Sequence, residues 1–493
     1  MTDTTPTPPP IPTTPSADMP PEEFRRHAHA VVDWMADYLA NVGELPVLAQ
    51  VRPGEVAGRL PSAAPEQGEA VEDILRDFRD VIVPGVTHWN HPDFFAYFAI
   101  TGSGPGILGE MLAAALNTNA MLWRTGPAQT ELEERTLDWL RQMMGLPQGF
   151  HGTIQDTASI STLVAIAAAR EAAGLGVREE GMSGRDLPRL RVYASEEVHS
   201  SIDKAGITLG IGTAGTRKIP ADDAFRMDPA ALERAIEEDR AAGIHPLCVV
   251  ATVGTTSTSS IDPVPAIADV CARHGVWLHV DAAYGGSAAL VPELRHVLDG
   301  AERADSLVVN PHKWMFVPVD CSVLFSRRPE VIRRAFSLVP EYLVTPEGES
   351  VTNLMDYGPA LGKRFRALKL WMVLRYFGAG GMAARIREHV RLAQTLAGWM
   401  ETEPEWEVLA PVPLSLVVFR HAPAGMDEAR TDAHNERILA AVNATGRAFI
   451  SHTRVRGRLG LRLAIGNLRT TEAHVRAAWE LLRETAALPR ASA

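Results

Sequence analysis

Cysteine is scarce in this 493-residue chain: Cys248, Cys271 and Cys321 are all there is, and none stands in a C-x-x-C pair. An odd, sparse count supplies neither a disulfide framework nor a zinc site, and it suits a reducing cytoplasm. Long apolar runs are missing too. No stretch approaches the roughly 18–20 residues that a membrane-crossing helix needs, so no membrane partner is expected. Positive charge is outweighed, with 48 Lys and Arg against 60 Asp and Glu for a formal charge of −12. Such a surface repels phosphate backbones, which argues against nucleic acid as the main partner. The opening residues hold Thr, Pro and two Asp but no basic stretch and no apolar core, so they lack the marks of a secretory signal. A segment this poor in apolar side chains cannot offset its ordering entropy, and 1–20 is expected to be a disordered tail.

What is present reads as an ordinary globular protein, 46% hydrophobic and 22% charged, long enough for two or three domains. Phe24, Val31, Trp34, Met35 and Tyr38 recur at helical spacing, and a second helical pattern spans 69–81. These define a helical N-terminal unit over 21–98. From 99 to 380 short apolar runs alternate with amphipathic stretches. Strands are predicted at 190–194, 247–252, 276–280 and 306–309, with helices such as 229–242 and 263–274 between them. That alternation predicts an α/β domain built on a mostly parallel sheet. A long helix at 382–400, a strand at 414–419 and a helix–strand–helix ending make 381–493 a small α+β C-terminal domain. No internal repeat is present.

Three local signals call for one ligand. Lys313, in NPHKW at 310–314, follows the strand at 306–309, and open α/β sheets bind ligands beyond the carboxyl ends of their strands. A lysine with a lowered pKa there can form a Schiff base with an aldehyde cofactor. Asp281 ends the strand at 276–280, where a buried acid needs a cation such as a protonated pyridine nitrogen. Ala282 and Ala283 beside it leave room for a flat ring. Ser159, in QDTAS at 155–159, opens the helix at 160–172, and exposed amides at a helix start suit a phosphate. Each has a plainer reading alone: a surface lysine, a structural cap or a metal ligand paired with His279, and an ordinary N-cap. No third or fourth metal ligand follows His279 and Asp281, so no metal is expected. Together the three describe pyridoxal 5'-phosphate (PLP). The Gly-rich stretch 101–106 lacks the Gly-Lys-Ser/Thr ending of a nucleotide loop and is read as a turn. The pairs His88/His91 and His27/His29 have no metal-binding companions and are read as structural or exposed.

With HVDAAYGG at 279–286, ATVGTT at 251–256 and HPDFFAYF at 91–98 added, the chain resembles the group II PLP-dependent decarboxylases, specifically the aromatic-L-amino-acid decarboxylase family, over about 20–485. The resemblance implies a fold-type I (PLP-dependent transferase-like) enzyme. It also implies a homodimer with active sites at the subunit interface and an N-terminal unit that wraps the partner. By position it makes Lys313 the Schiff-base lysine, Asp281 the partner of the pyridine nitrogen and His199 the ring stacked over the cofactor. Ala158, Ser159 and His312 become phosphate contacts and Asn310 completes that pocket. Thr256 falls near the cofactor hydroxyl and the substrate carboxylate. Tyr342 matches a lid tyrosine that donates a proton after CO2 leaves, a position where relatives that oxidatively deaminate commonly carry phenylalanine.

The resemblance weakens on the substrate side. Trp89, Tyr97 and Phe98 match the aromatic wall, but Ala99 follows where animal members usually have proline. Asn119 and Met121 lie in a segment that is more apolar or aromatic in those members, and Lys363 stands where arginine is commoner. Gly362 leaves space of the kind that admits an indole ring, and a polar Asn119 suits a hydroxylated one. The expected substrates are tryptophan, tyrosine, dihydroxyphenylalanine or phenylalanine. Oxidative deamination and a non-aromatic amino acid are the alternatives.

Overall fold

A computed structural model describes residues 18–338, 345–347 and 350–488. Helix α1 (Pro21–Asn41) opens on a proline with Glu22 and Glu23 in its first turn, acids that complement the helix dipole. Helix α2 (Val71–Asp77) continues as a wider turn over Phe78–Ile82, where Trp34 of α1 packs edge-on against Phe78 at 4.8 Å. Helices α3 (Gly104–Leu116) and α4 (Pro127–Met143) then lead into a seven-stranded sheet.

The strands are β1 (His151–Gln155), β2 (Leu190–Ser195), β3 (Thr216–Ile219), β4 (His245–Thr252), β5 (Trp277–Asp281), β6 (Ser306–Val309) and β7 (Ser322–Ser326), in the order β1-β7-β6-β5-β4-β2-β3. Only β7 runs against its neighbours, β1 and β6. Four predicted strands are thus found within a residue or two of their predicted ends. β1, β3 and β7 went unrecognised; β3 is four residues long with only Ile219 buried, and β7 is a short fully buried run in a Ser-bounded segment, too brief to show a period. The predicted helix at 160–172 starts earlier, as α5 (Ala158–Ala172), and α6 (Pro229–Ala241) and α7 (Val264–His274) end nearly where expected.

Period-2 alternation splits β5 between two cores. Leu278 and Val280 join the larger cluster, while Trp277 joins the cluster that holds Val164, Ala165 and Ala168 of α5. His279 and Asp281 therefore face α5. The helix α8 (Arg366–Glu401) is interrupted at Gly378, whose φ of 63° only glycine takes readily. Beyond it a four-stranded antiparallel sheet forms from β8 (Trp406–Val408), β9 (Leu416–His421), β10 (Ser451–Val455) and β11 (Arg458–Ala464), in the order β10-β11-β9-β8. Helices α9 (Glu428–Ala444) and α10 (Glu472–Ala486) complete this unit. The segment before α3 is bound to it: Phe95 donates its amide to Phe449, and Ala464 donates to Phe95.

Candidate active site

The carboxyl ends of β4, β5 and β6 converge on one place. Asp281 ends β5 in register with Thr252 of β4 and Val308 of β6. Its Oδ1 accepts the Ala283 amide at 3.1 Å, and the Ala283 carbonyl in turn accepts the Asn310 amide at 3.1 Å. Asn310 is followed by one helical turn, Pro311–Trp314, which lifts Lys313 over the end of the sheet. The Lys313 amine takes no acceptor among the described residues and lies 5.5 Å from the centre of the Phe98 ring. Burial lowers its pKa below that of an ordinary lysine, and the Asp281 charge works against the shift. A lysine so placed yields neutral amine nearer neutral pH than a solvated one does.

His199 follows β2, where the chain turns toward the site. Its Nδ1 accepts the Ser201 amide at 3.1 Å, so in the neutral ring the proton resides on Nε2. Desolvation lowers its pKa, so the ring is neutral near pH 7. His312 is fixed the same way: Nδ1 accepts the Cys321 amide at 2.9 Å, and burial pulls its pKa down to about 4. It therefore offers a neutral Nε2–H donor. The amides of Ala158 and Ser159 open α5 and have no intrahelical acceptor. Thr256 projects from the turn after β4, with its side chain exposed.

These residues suit PLP. Two buried polar atoms flanking Asp281, Thr252 Oγ1 and Asn310 Oδ1, have no hydrogen-bond partner, as a site awaiting a polar ligand would leave them. A free amine, a carboxylate, neutral N–H donors and a helix start meet the aldehyde, the ring nitrogen and the phosphate.

The predicted substrate residues fall into two sets on different elements. Trp89 stacks on Tyr97 at 5.9 Å, and Phe98 lies beside Lys313. Phe98 is itself buried, stacked on Tyr284 at 3.8 Å, so it is a floor under the lysine rather than an open wall. The other set, Asn119, Met121 and Gly362, gathers where the chain after α3 meets the approach to α8. There Asn119 Oδ1 accepts the Met121 amide at 3.1 Å and the Lys363 amide at 2.8 Å. Tyr342 lies outside the described residues. Sequence reasoning missed Thr252, Tyr284 and Arg462. Arg462 had a signal, a cation set inside the apolar alternation of β11, but nothing local tied it to Lys313.

A family model, the Pyridoxal-dependent decarboxylase conserved domain, matches residues 53–422. The chain belongs to that family. It is 43% identical to a tryptophan decarboxylase of Camptotheca acuminata over 94% of each chain. It is also 39% identical to a phenylacetaldehyde synthase of Arabidopsis thaliana, covering 94% of this chain and 96% of that one. Among solved structures, the Oryza sativa TDC with PLP and tryptamine superposes with a TM-score of 0.92 at 39% identity, covering 96% of this chain and 99% of that one. The fold is that of fold-type I, the cofactor is PLP, and the chain is a PLP-dependent amino-acid decarboxylase. No helix among the described residues is long and apolar enough to cross a membrane.

Proposed function

We propose that this decarboxylase converts an aromatic L-amino acid to its amine and CO2, working as a homodimer in the cytoplasm. The observation that carries this is the free Lys313 amine held over Phe98, beside Asp281 and the neutral His199. Bound there, PLP supplies an electron sink for the bond that breaks at Cα. Lys313 would hold the cofactor through its amine, and that amine is the group freed when the substrate amine takes its place. Asp281 keeps the ring nitrogen protonated, and Ala283 leaves space for the ring. His199 would lie over the ring, holding a proton on Nε2. Ala158, Ser159, His312 and Asn310 seat the phosphate, and Thr256 lies toward the cofactor hydroxyl. Tyr342 would supply the proton at Cα.

Asn119 bears on the substrate ring. Its Oδ1 is committed to two backbone amides, so Nδ2 is the side it presents, next to the space that Gly362 leaves open. An amide N–H meets a ring hydroxyl as acceptor but finds none on a phenyl or indole ring. Hydroxylated substrates are therefore preferred to their plain counterparts, by about the three- to tenfold that one net hydrogen bond gives. Asn119, Met121 and Gly362 form this wall for the partner subunit's site, while Trp89, Tyr97 and Phe98 serve their own.

The test is product analysis of the holoenzyme with tryptophan, 5-hydroxytryptophan, phenylalanine, tyrosine, dihydroxyphenylalanine and glutamate. Amine and CO2 from the aromatic acids are expected, together with borohydride trapping of the cofactor on Lys313. A preference for glutamate overturns the aromatic reading. Aldehyde with peroxide in place of amine overturns simple decarboxylation.

A further inference from the structure

His279 lacks the companions of a metal ligand, and the structure gives it another setting. It stands on β5 two residues before Asp281, so the two side chains share the sheet face that α5 covers. It is fully buried, and Ser306 stands in register with it on β6. The Ser306 hydroxyl meets two ring nitrogens, Trp277 Nε1 at 3.1 Å and His279 Nδ1 at 2.9 Å. An indole N–H can only donate, so Ser306 Oγ accepts from Trp277. If it also accepted from His279, its own buried proton would be left without an acceptor. The arrangement that strands the fewest groups has Ser306 donating to Nδ1, which puts the imidazole proton on Nε2.

That Nε2–H is a buried donor with no hydrogen-bond partner among the described residues. A histidine that only packs a core meets both of its nitrogens, as His91 does with the Asp93 amide at 3.0 Å and the Gly43 carbonyl at 3.2 Å. His279 leaves one open. Burial pulls its pKa down to about 4, and the Asp281 charge works against that shift, so the ring is a neutral dipole within the field of the carboxylate. Thr252, in register with Asp281 on β4, faces the same side, and its Oγ1 is likewise unmet. Two unmet polar groups are thus the immediate neighbours, on one sheet face, of the carboxylate assigned to the ring nitrogen.

We propose that His279 is a positioning residue for Asp281, its Nε2–H presenting a fixed positive dipole end to the carboxylate. Asp281 is thereby held as an anion, with Oδ1 on the Ala283 amide and its other oxygen left for the pyridine nitrogen. In a dry interior an oriented N–H stabilises a nearby anion more strongly than the same group does in water. Keeping the carboxylate ionised keeps the ring nitrogen protonated, so His279 acts on the electron sink without touching it. The inference rests on the pairing of Asp281 with the ring nitrogen proposed above and deepens it.

The test separates the two ring nitrogens. In His279→Asn the side-chain amide takes the place of Nδ1 and keeps the Ser306 contact, whereas in His279→Gln it reaches the place of Nε2. Each protein is loaded with PLP isotopically labelled at the pyridine nitrogen, and the nitrogen resonance and the PLP dissociation constant are measured. His279→Asn is expected to move the resonance toward that of an unprotonated pyridine and to weaken PLP about tenfold, while His279→Gln stays within about threefold of wild type. Equal effects in the two variants, or the reverse order, would make His279 a packing residue held by Ser306. If neither variant folds, Ser306→Ala decides, because it unlocks the ring but keeps it. A shift in the same direction with PLP weakened about threefold is expected, and an unchanged resonance overturns the proposal. Asp281→Asn is the control. A ring nitrogen still protonated there would refute the pairing of Asp281 with that nitrogen, a separate failure.

Discussion

At the scale of single residues, burial sets the chemistry by withdrawing water from groups that would otherwise be charged. Lys313 is pulled down by desolvation against the opposing pull of Asp281, and His199 and His312 are held neutral. His389 on α8 shows the same physics in a stabilising role. It is buried, its Nδ1 accepts the Trp314 Nε1–H at 2.9 Å, and its pKa falls to about 4. The unfolded chain therefore binds this proton near pH 6.5 and the folded one only near 4, so the residue's contribution is complete above 6.5 and is lost as pH falls. Between pH 8 and pH 5 that loss is about 2 kcal/mol. The stability gap between wild type and His389→Leu, measured by denaturant unfolding, should narrow by about that amount over this range. A gap independent of pH would show that the ring is not held neutral. The difference is the proper measure, because Glu133, pushed up to about 7, and Asp262, pushed up to about 6, shift total stability in the opposite sense. Lys313, Asp281 and the start of α5 were legible in the sequence because each sits at the end of a strand or helix. The part of His279 was not, since it depends on Ser306, a strand away.

At the scale of elements, the legible pieces are those whose period is long enough to count. The helices at 229–241 and 264–274 and the buried runs of β2, β4, β5 and β6 fall where predicted. The reversed strand β7 does not announce itself, because direction within a sheet leaves no mark on three apolar residues bounded by serines. Close helix contact is likewise hidden until the partner is known. Gly109 of α3 abuts α8, where an added Cβ would stand 2.5 Å from the Lys369 Cα. Backbone cannot yield as a flexible side chain does. Gly109→Val should cost about 1–3 kcal/mol or more by forcing the two helices apart. Thermal unfolding of the purified holoenzyme would show this, and an unchanged midpoint would mean that the helices slide freely.

At the scale of the whole molecule, the surface carries apolar groups that one chain leaves uncovered. Leu108, Leu112 and Leu116 stand at i, i+4 and i+8 on α3, each more than half exposed, and Phe24 on α1 and Ile74 on α2 are similarly bare. Such a stripe suits burial against a second copy. Leu112→Asp is expected to shift the protein from dimer toward monomer in sedimentation and to lower activity with it, since Asn119 and Gly362 are proposed to serve the partner's site. A monomeric wild type of full activity would refute both. The sequence by itself determined the cofactor, the lysine that carries it and the alternating α/β plan, because these depend on residue type at strand and helix ends. Only the tertiary structure decided that Phe98 is a floor rather than a wall, that Asn119 turns its amide nitrogen outward and that Ser306 ties one nitrogen of His279 and leaves the other. Those facts depend on which distant side chains share a dry space, and linear order does not encode that.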